Sequence, residues 1–416
     1  MRSEGWEMDE LPIGRRVAYW RNRRKMSQQV FADRLGKSKS WVDKVERGVR
    51  RLDKFSVTSE IADVLQVDVQ LLLGREPERR PDSINCIDQI EVAEIRSALE
   101  RYDQISAFFY APPEPPPLAE MRKATAHAWQ TLLHAKWGVL TRSLPKLLRE
   151  AQAADAAYAG TDGAPEAAHL LGQVYQITSS AMRRLGELDL GWLAADRSIA
   201  VSQRAGDQLL AGVATTRVAN ALRALGRHRS ALEVNVNIAN RLAPNATEPG
   251  TPERLSVYGF LLLQGAMAAS CIGDSATMQD LLNAADDAAQ GLGGDFNHYW
   301  TSFGPTNVLL HRAAASVELG DGGVAVAVHE SIDPEAFRNL MPERRAHHFI
   351  DMARGFAQIG DITKAGEMLL ECDHLAPAEI RCRPIAHEVM SDVLRRAKGS
   401  PPTAIADLAE QMGVGV

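Results

Sequence analysis

Basic side chains are concentrated in one short stretch of the sequence, residues 13–54. This stretch contains 14 Lys and Arg against 4 Asp and Glu, which gives a net charge of +10. Because the whole chain has a formal net charge of −6, the other residues together carry −16. A compact basic segment joined to an acidic body indicates that one part of the protein contacts a polyanion and the other does not. Charge alone also leaves open a solvated basic face without a partner.

Catalytic and metal-binding signatures are missing from the sequence. The four cysteines, Cys86, Cys271, Cys372 and Cys382, lie far apart and form no C-x-x-C pair, which argues against a zinc knuckle or a disulfide framework. Glycine-rich phosphate loops are absent, as are the G-x-S-x-G and H-E-x-x-H motifs. We therefore predict that the protein is not an enzyme and that it binds neither a metal nor a cofactor.

Short helices must position the basic side chains. Apolar spacing in residues 13–74 predicts five of them, the last carrying Val69 and Leu72. Ser27 and Ser38 are suited to cap the second and third helices, and Gly36 is suited to the left-handed residue between them. Two helices joined by such a tight turn form a helix-turn-helix. Its predicted core consists of Phe31, Ala32, Leu35, Val42 and Val45.

The string M-S-Q-Q-x-F-A-x-R-L-G-x-S-x-S-W-V-x-K-V-E-R-G, residues 26–48, resembles the lambda-repressor-like, Xre-type helix-turn-helix family. The resemblance covers about sixty residues. It implies that the second helix lies across the DNA backbone and that the third enters the major groove. It also implies that Arg21 and Glu46 form a buried ion pair between the first and third helices.

The same resemblance assigns DNA contacts to individual side chains. Gln28 would donate to a phosphate, and Lys39, Ser40 and Lys44 would reach base edges. Arginines after the third helix would hold flanking phosphates, which position the protein without reading sequence. Trp41 either packs against a thymine methyl or a sugar, or folds back on the domain. The predicted DNA-binding set is Gln28, Ser38, Lys39, Ser40, Trp41, Lys44, Arg47, Arg50 and Arg51.

Composition divides the 416 residues into three parts. A polar stretch at 75–83, a helical segment at about 87–109 and a proline run at 112–117 separate the basic segment from the rest. The proline run cannot continue a helix and forms a stiff spacer. We predict a helix-turn-helix domain at 1–75, a linker with one helix at 76–117, and a helical repeat domain at 118–416.

A repeat is visible in the predicted C-terminal domain. Glycine turns follow one another at intervals of 40, 47, 47 and 40 residues, and a small residue lies seven positions before each glycine. Small side chains near a turn let two antiparallel helices approach, so each unit is expected to be a helical hairpin that stacks on its neighbours. The pattern resembles the tetratricopeptide repeat, although its period exceeds roughly 34 residues. The turn glycines are Gly186, Gly226, Gly273, Gly320 and Gly360.

An all-α chain ending in such an α-solenoid presents a concave surface built from the first helix of each hairpin. Asn and Gln side chains there suit a peptide backbone, and arginines suit a carboxylate. A solvated inner face and a dimer contact are the alternatives. The predicted effector groove consists of Gln173, Gln176, Arg183, Thr216, Asn220, Arg223, Phe260, Met267, Asn307, His347 and Arg354.

The combination of a DNA-binding head and a repeat body resembles the peptide-sensing quorum regulators of Gram-positive bacteria and the Ala/Arg-rich regulators of actinomycetes. It implies a homodimeric transcriptional regulator that binds an inverted-repeat operator in double-stranded DNA and senses a peptide or small-molecule effector. The sequence has neither a secretory signal nor a membrane-length apolar run, so we expect a cytoplasmic, nucleoid-associated protein without membrane contact. The alternative is a protein-interaction scaffold that a weak DNA-binding head localises.

Overall fold

The computed structural model describes residues 12–23, 26–50, 52, 55–65, 89–100, 116–244, 250–397 and 401–415. These residues form α-helices throughout, with one short 3₁₀ turn and no strand. The chain divides into two compact units, Met1–Ser83 and Ile84–Val416. The predicted all-α fold, a helix-turn-helix followed by a helical repeat body, is confirmed. The expected fifth helix at Val69 and Leu72 lies outside the described residues, as does most of the proline run.

The N-terminal unit contains the predicted helix-turn-helix. Ser27 caps α2 and Ser38 caps α3, because their side-chain oxygens accept hydrogen bonds from the backbone N–H groups of Val30 and Trp41. Each such cap stabilises a helix by about 1 kcal/mol. Gly36 makes the turn between α2 and α3 with a φ of +62°. The described helices of this unit are α1 (Ile13–Arg23), α2 (Gln28–Arg34), α3 (Lys39–Glu46) and α4 (Phe55–Leu65).

The core of this unit is close to the predicted one. Phe31, Ala32, Val42 and Val45 are buried, whereas Leu35 is half-buried at the edge. A contact that the sequence analysis missed is the crossing of α1 over α3 at Gly14. A Cβ at this position would lie 2.1 Å from the carbonyl oxygen of Val45, so only glycine fits.

The body consists mainly of helical hairpins that follow one another along the chain. Five shorter or unpaired helices, α5 (Gln89–Glu100), α16 (Pro334–Asn339), α19 (Pro377–Cys382), α20 (Pro384–Arg396) and α21 (Thr403–Met412), pack on these hairpins. The hairpins are α6 (Leu118–Leu133) with α7 (Trp137–Ala157), α8 (Ala164–Arg184) with α9 (Leu188–Arg204), α10 (Gln208–Ala224) with α11 (His228–Leu242), α12 (Pro252–Cys271) with α13 (Ser275–Leu292), α14 (Pro305–Leu319) with α15 (Gly322–Glu330), and α17 (Pro342–Gln358) with α18 (Ile362–Leu375).

All five predicted glycine turns connect the two helices of a hairpin. Their φ angles lie between +74° and +88°, a region that glycine enters without a steric penalty. The small residues seven positions earlier are buried, and so is Met278, five positions after Gly273. Helix α5, which the sequence analysis placed in the linker, packs on α7 through buried Ile95, Ala98 and Leu99.

A loop of residues 293–304, here called the insertion loop, interrupts the repeat between α13 and α14. Tyr299, Trp300 and Ser302 have φ angles of +50°, +60° and +49°, which is uncommon for residues with a side chain. Phe303 anchors the loop in the core against Gly259 of α12. A Cβ on that glycine would lie 1.9 Å from the phenyl ring, so the glycine is required.

The first and last parts of the body contact each other. Helix α17 packs on α6, and one apolar core is shared by α5–α9 and by α14, α15 and α17–α21. A second core cluster lies in α10–α14. Four charged residues, here called the closure cluster, join α8 to α17 and α19. They are Arg184, Glu343, Glu379 and Arg383.

Candidate nucleic-acid interface and ligand cavity

The two faces of α3 have opposite characters. Val42 and Val45 are buried against the core, whereas Lys39, Ser40 and Lys44 are exposed. This separation follows from the helical period, which places residues three apart on one face. The structure therefore presents the predicted base-contacting residues together on one solvent-facing surface. Arg47 and Arg50 are also exposed, beyond the C-terminal end of α3, and Arg51 lies outside the described residues.

A buried ion pair holds α1 to α3. The Arg21 guanidinium donates to Glu46 twice, Nε to Oε1 at 2.5 Å and Nη2 to Oε2 at 3.0 Å. These residues are only 9% and 6% exposed. Gln28 Nε2 also donates to Glu46 Oε2, at 2.8 Å, and so connects α2 to the pair. This bond uses one of the two N–H hydrogens of the Gln28 amide.

Trp41 is half-buried and packs on the core of the N-terminal unit. The guanidinium of Arg50 lies 5.8 Å from the centroid of its ring. The indole thus contacts both the core of the unit and the Arg50 side chain. The Ser38 hydroxyl caps α3 by accepting from the Trp41 N–H, so its own hydrogen is left to donate.

The inner helices of the body surround a cavity of about 730 Å³. The first helices of the hairpins supply most of its wall, and the insertion loop supplies Trp300, Thr301 and Ser302. The structure brings seven of the eleven predicted groove residues together on this wall. They are Arg183, Asn220, Arg223, Phe260, Met267, His347 and Arg354.

The other four predicted groove residues face elsewhere. Gln176, Thr216 and Asn307 are buried and donate to the backbone carbonyls of Leu210, Val213 and Ser302. Gln176 thereby connects α8 to α10, Asn307 connects α14 to the insertion loop, and Thr216 bonds within its own helix. Gln173 lies behind the wall, where its Oε1 accepts hydrogen bonds from the indole N–H groups of Trp129 and Trp300 at 2.8 and 3.0 Å.

Several residues that line the cavity were not predicted from the sequence. For two of them, Arg217 and Arg344, helical spacing from a predicted residue indicates the same face of the helix. The predicted Asn220 shares its face with Arg217, three positions earlier, and Arg354 shares its face with Arg344, three turns earlier. The prediction took Thr216 in place of Arg217, a displacement of one residue. Trp129 and Trp300 gave no such signal, because neither belongs to the inner face of one of the five predicted repeats.

Arginines dominate the charge of the cavity wall, which carries seven of them and four carboxylates. Arg184, Arg354 and Arg383 have a carboxylate oxygen within 4.0 Å. Among the described residues, Arg183, Arg217, Arg223 and Arg344 have none, and Arg344 contacts Nδ1 of His347 at 3.1 Å. Burial and the neighbouring Arg184 lower the pKa of Arg217 to about 10. Burial and the same neighbour lower the pKa of Arg183 well below its ordinary value.

Comparison with known proteins supports the assignment of the N-terminal unit. Residues 12–73 match a family model described as a helix-turn-helix domain. Comparisons of the chain with curated proteins and with solved structures give no match. The chain therefore carries a helix-turn-helix DNA-binding domain joined to a helical body. In the described ranges, no helix is long and apolar enough to cross a membrane, and no group of three His, Cys, Asp or Glu side chains is placed to hold a metal ion.

Proposed function

We propose that this protein is a sequence-specific transcriptional regulator that binds DNA as a homodimer and senses an effector in its body. The observation that carries the proposal is the polar outer face of α3, which lies within a matched helix-turn-helix domain and opposite a buried apolar face. In helix-turn-helix proteins the second helix of the motif reads base edges in the major groove.

The exposed side chains of α3 have the donors that such readout needs. Lys39 and Lys44 suit the O6 and N7 acceptors of guanine, and Ser40 tolerates several bases. Gln28 and Ser38 each retain one hydrogen for a phosphate, and Arg47 and Arg50 add positive charge beside them. We assign a phosphate contact to Arg51 as well. Trp41 packs on the core, and we assign its indole ring a steric role in the DNA-facing surface of α3.

The body supplies dimerisation and sensing in this proposal. A dimer places two recognition helices in successive major grooves about 34 Å apart, which requires an inverted-repeat operator. The cavity in the body gives an effector, a peptide or a small molecule, a place to bind. An effector changes operator binding only if it has unequal affinity for two arrangements of the body. A DNA partner of this kind implies a cytoplasmic, nucleoid-associated protein, and the resemblance to actinomycete regulators supports an actinobacterial source.

Selection of bound fragments from genomic DNA tests this function. The full chain should enrich a small number of fragments, and footprinting should show a short inverted repeat in each. The footprint should cover two half-sites one helical turn apart. Weak binding of all fragments alike would overturn the proposal and favour a scaffold that its DNA-binding head merely localises.

A further inference from the structure

Four of the seven arginines in the wall of the body cavity lack a carboxylate partner in the described part of the chain, and one of these, Arg344, contacts the ring nitrogen Nδ1 of His347 at 3.1 Å instead. Arg183, Arg217 and Arg223 have no carboxylate oxygen within 4.0 Å among the described residues. Arg223 reaches only the neutral amide oxygen of Asn220, at 3.5 Å. Buried charges in proteins are normally paired with an opposite charge, because removing a charge from water is costly.

Arg217 is the most confined of the three. It is 9% exposed, and its guanidinium carbon lies 5.8 Å from the ring of Trp129 and 5.9 Å from the ring of Phe260. Its Nε has no hydrogen-bond partner. The two aromatic faces stabilise the cation and fix its plane. The guanidinium is therefore held in place in the cavity wall without a carboxylate partner among the described residues.

Aromatic side chains give the same cavity an apolar wall. Trp129 and Trp300 stack with their ring centroids 5.5 Å apart and an angle of 13° between the rings. Both indole N–H groups are satisfied by Gln173, so the ring surfaces rather than the nitrogens are left for a ligand. Trp300 belongs to the insertion loop, in which Tyr299, Trp300 and Ser302 have positive φ angles.

We propose that this cavity binds a small organic anion, in which a carboxylate, phosphate or sulfonate group is joined to an aromatic or aliphatic portion. The anionic group contacts Arg183, Arg217 and Arg223, which offer charge-assisted hydrogen bonds. The apolar portion lies against Trp129, Trp300 and Phe260. A cavity of about 730 Å³ is of the size that holds a small ligand. The role of this ligand as the effector rests on the proposed function, whereas its binding does not.

The binding test uses a matched pair of fluorescent probes with the full chain. The probe 8-anilinonaphthalene-1-sulfonate has an anionic group on an aromatic skeleton, and N-phenyl-1-naphthylamine has the same skeleton without the charge. The wild-type protein should bind the anionic probe with one site per chain. Arg217→Met and Arg183→Met should each weaken that binding by about tenfold or more, since each loses a charge-assisted hydrogen bond. Binding of the neutral probe should change less than about twofold.

Two further variants control for folding and for total charge. Arg312→Met removes an arginine whose guanidinium donates to Gln279 and Asn283 and does not line the cavity, so it should leave both probes unaffected. Arg217→Lys keeps the positive charge and should bind the anionic probe more tightly than Arg217→Met does. Helix content measured by circular dichroism shows that each variant is folded.

The outcomes separate the ligand site from the proposed function. Equal affinity of wild type and both Met variants for the anionic probe overturns the anion site, and so does the failure of folded wild-type protein to bind it. Tighter binding of the neutral probe than of the anionic one overturns it as well. No DNA is present in this experiment, so a failure of operator selection contradicts the proposed function alone.

Discussion

At the scale of single residues, the Arg21–Glu46 ion pair joins two helices that lie far apart in the sequence. The two residues are 25 positions apart and belong to different helices, yet their charges meet in a site that water hardly reaches. Charge-assisted hydrogen bonds in such a site are directional, so the pair fixes the angle at which α3 is presented. This orientation determines which side chains can reach a major groove.

Removal of Glu46 should destabilise the N-terminal unit strongly. Glu46→Ala leaves the Arg21 cation buried without a partner, and such changes typically cost about 3–5 kcal/mol. Calorimetry of the full chain should show a lower unfolding temperature for this unit. Asp43→Ala is the matched control, because it removes a pair with exposed Arg47 at 3.4 Å, and exposed pairs contribute less than about 1 kcal/mol. Similar losses in both variants would contradict a structural role for the buried pair.

Lys44 and Arg50 should respond differently to mutation. Lys44→Ala removes a proposed base contact, so it should change the preferred base at one half-site position. Arg50→Ala removes a proposed phosphate contact, so it should weaken all sequences alike and reduce the slope of log affinity against log salt by about one. Binding to a panel of half-site variants at several salt concentrations measures both effects. The assigned register is wrong if the two variants give the same profile across the panel.

The sequence predicted the residues of the N-terminal unit better than those of the cavity. Helix caps and tight turns involve residues only a few positions apart in the chain, so residue type alone predicted the roles of Ser27, Ser38 and Gly36. The requirement for glycine at Gly14 depends on a carbonyl oxygen 31 positions away, which no local pattern contains. Arg217 was missed because the prediction placed its neighbour Thr216 on the inner face, and adjacent residues of a helix lie about 100° apart around the axis.

At the scale of elements, the glycine turns explain the two lengths of the repeat. The first interval of 40 residues holds two helices and a short turn, and the second holds α15, the short α16 and α17. The two intervals of 47 contain the segment between α11 and α12 and the insertion loop. The seven additional residues in each interval of 47 therefore indicate, in the sequence itself, a longer connection between two helices. The path of the insertion loop could not be predicted, because distant partners on α6, α8 and α10 determine it.

The insertion loop should loosen when its shared hydrogen-bond acceptor is removed. Gln173→Leu leaves the indole N–H groups of Trp129 and Trp300 without a partner, and each unsatisfied buried donor costs about 1–3 kcal/mol. Limited proteolysis should cut the variant faster within residues 293–304. Gln290→Leu is the control, because its exposed side chain donates only to Asp286. An unchanged cleavage rate in Gln173→Leu would show that the aromatic stack holds the loop without the amide.

At the scale of the whole molecule, the body differs from the open solenoid that the repeats suggested, because its two ends meet. Arg184 and Glu343 are 159 residues apart in sequence and lie in ion-pair contact. No period or composition could have predicted this contact, since it depends on the sum of small rotations over all the hairpins. Three residues of the closure cluster, Arg184, Glu343 and Arg383, line the cavity, so the contact between the two ends forms part of the cavity wall.

Closure should depend on pH through Glu343. Burial alone would raise the pKa of this carboxyl, but the guanidiniums of Arg184, Arg344 and Arg383 lower it to about 2. The unfolded chain has a pKa of about 4.3 at this residue. A group whose pKa is lowered by folding stabilises the protein above its unfolded pKa, and that stabilisation disappears as the pH falls toward the folded value. Glu343 should therefore contribute about 3 kcal/mol at neutral pH and almost nothing near pH 2.

Comparison of wild type with Glu343→Gln isolates this contribution, because glutamine keeps the shape and does not titrate. The variant should unfold at a lower temperature than wild type at pH 7, and the two curves should converge between pH of about 4.3 and 2. The titration of His348, whose pKa is lowered well below its ordinary value by burial and by the neighbouring His329, has no contribution from Glu343 and cancels in the difference. Glu166→Gln, which breaks an exposed pair with Arg122, should change little at any pH. A difference between wild type and Glu343→Gln that persists near pH 2 would show that shape, rather than charge, keeps the ends together.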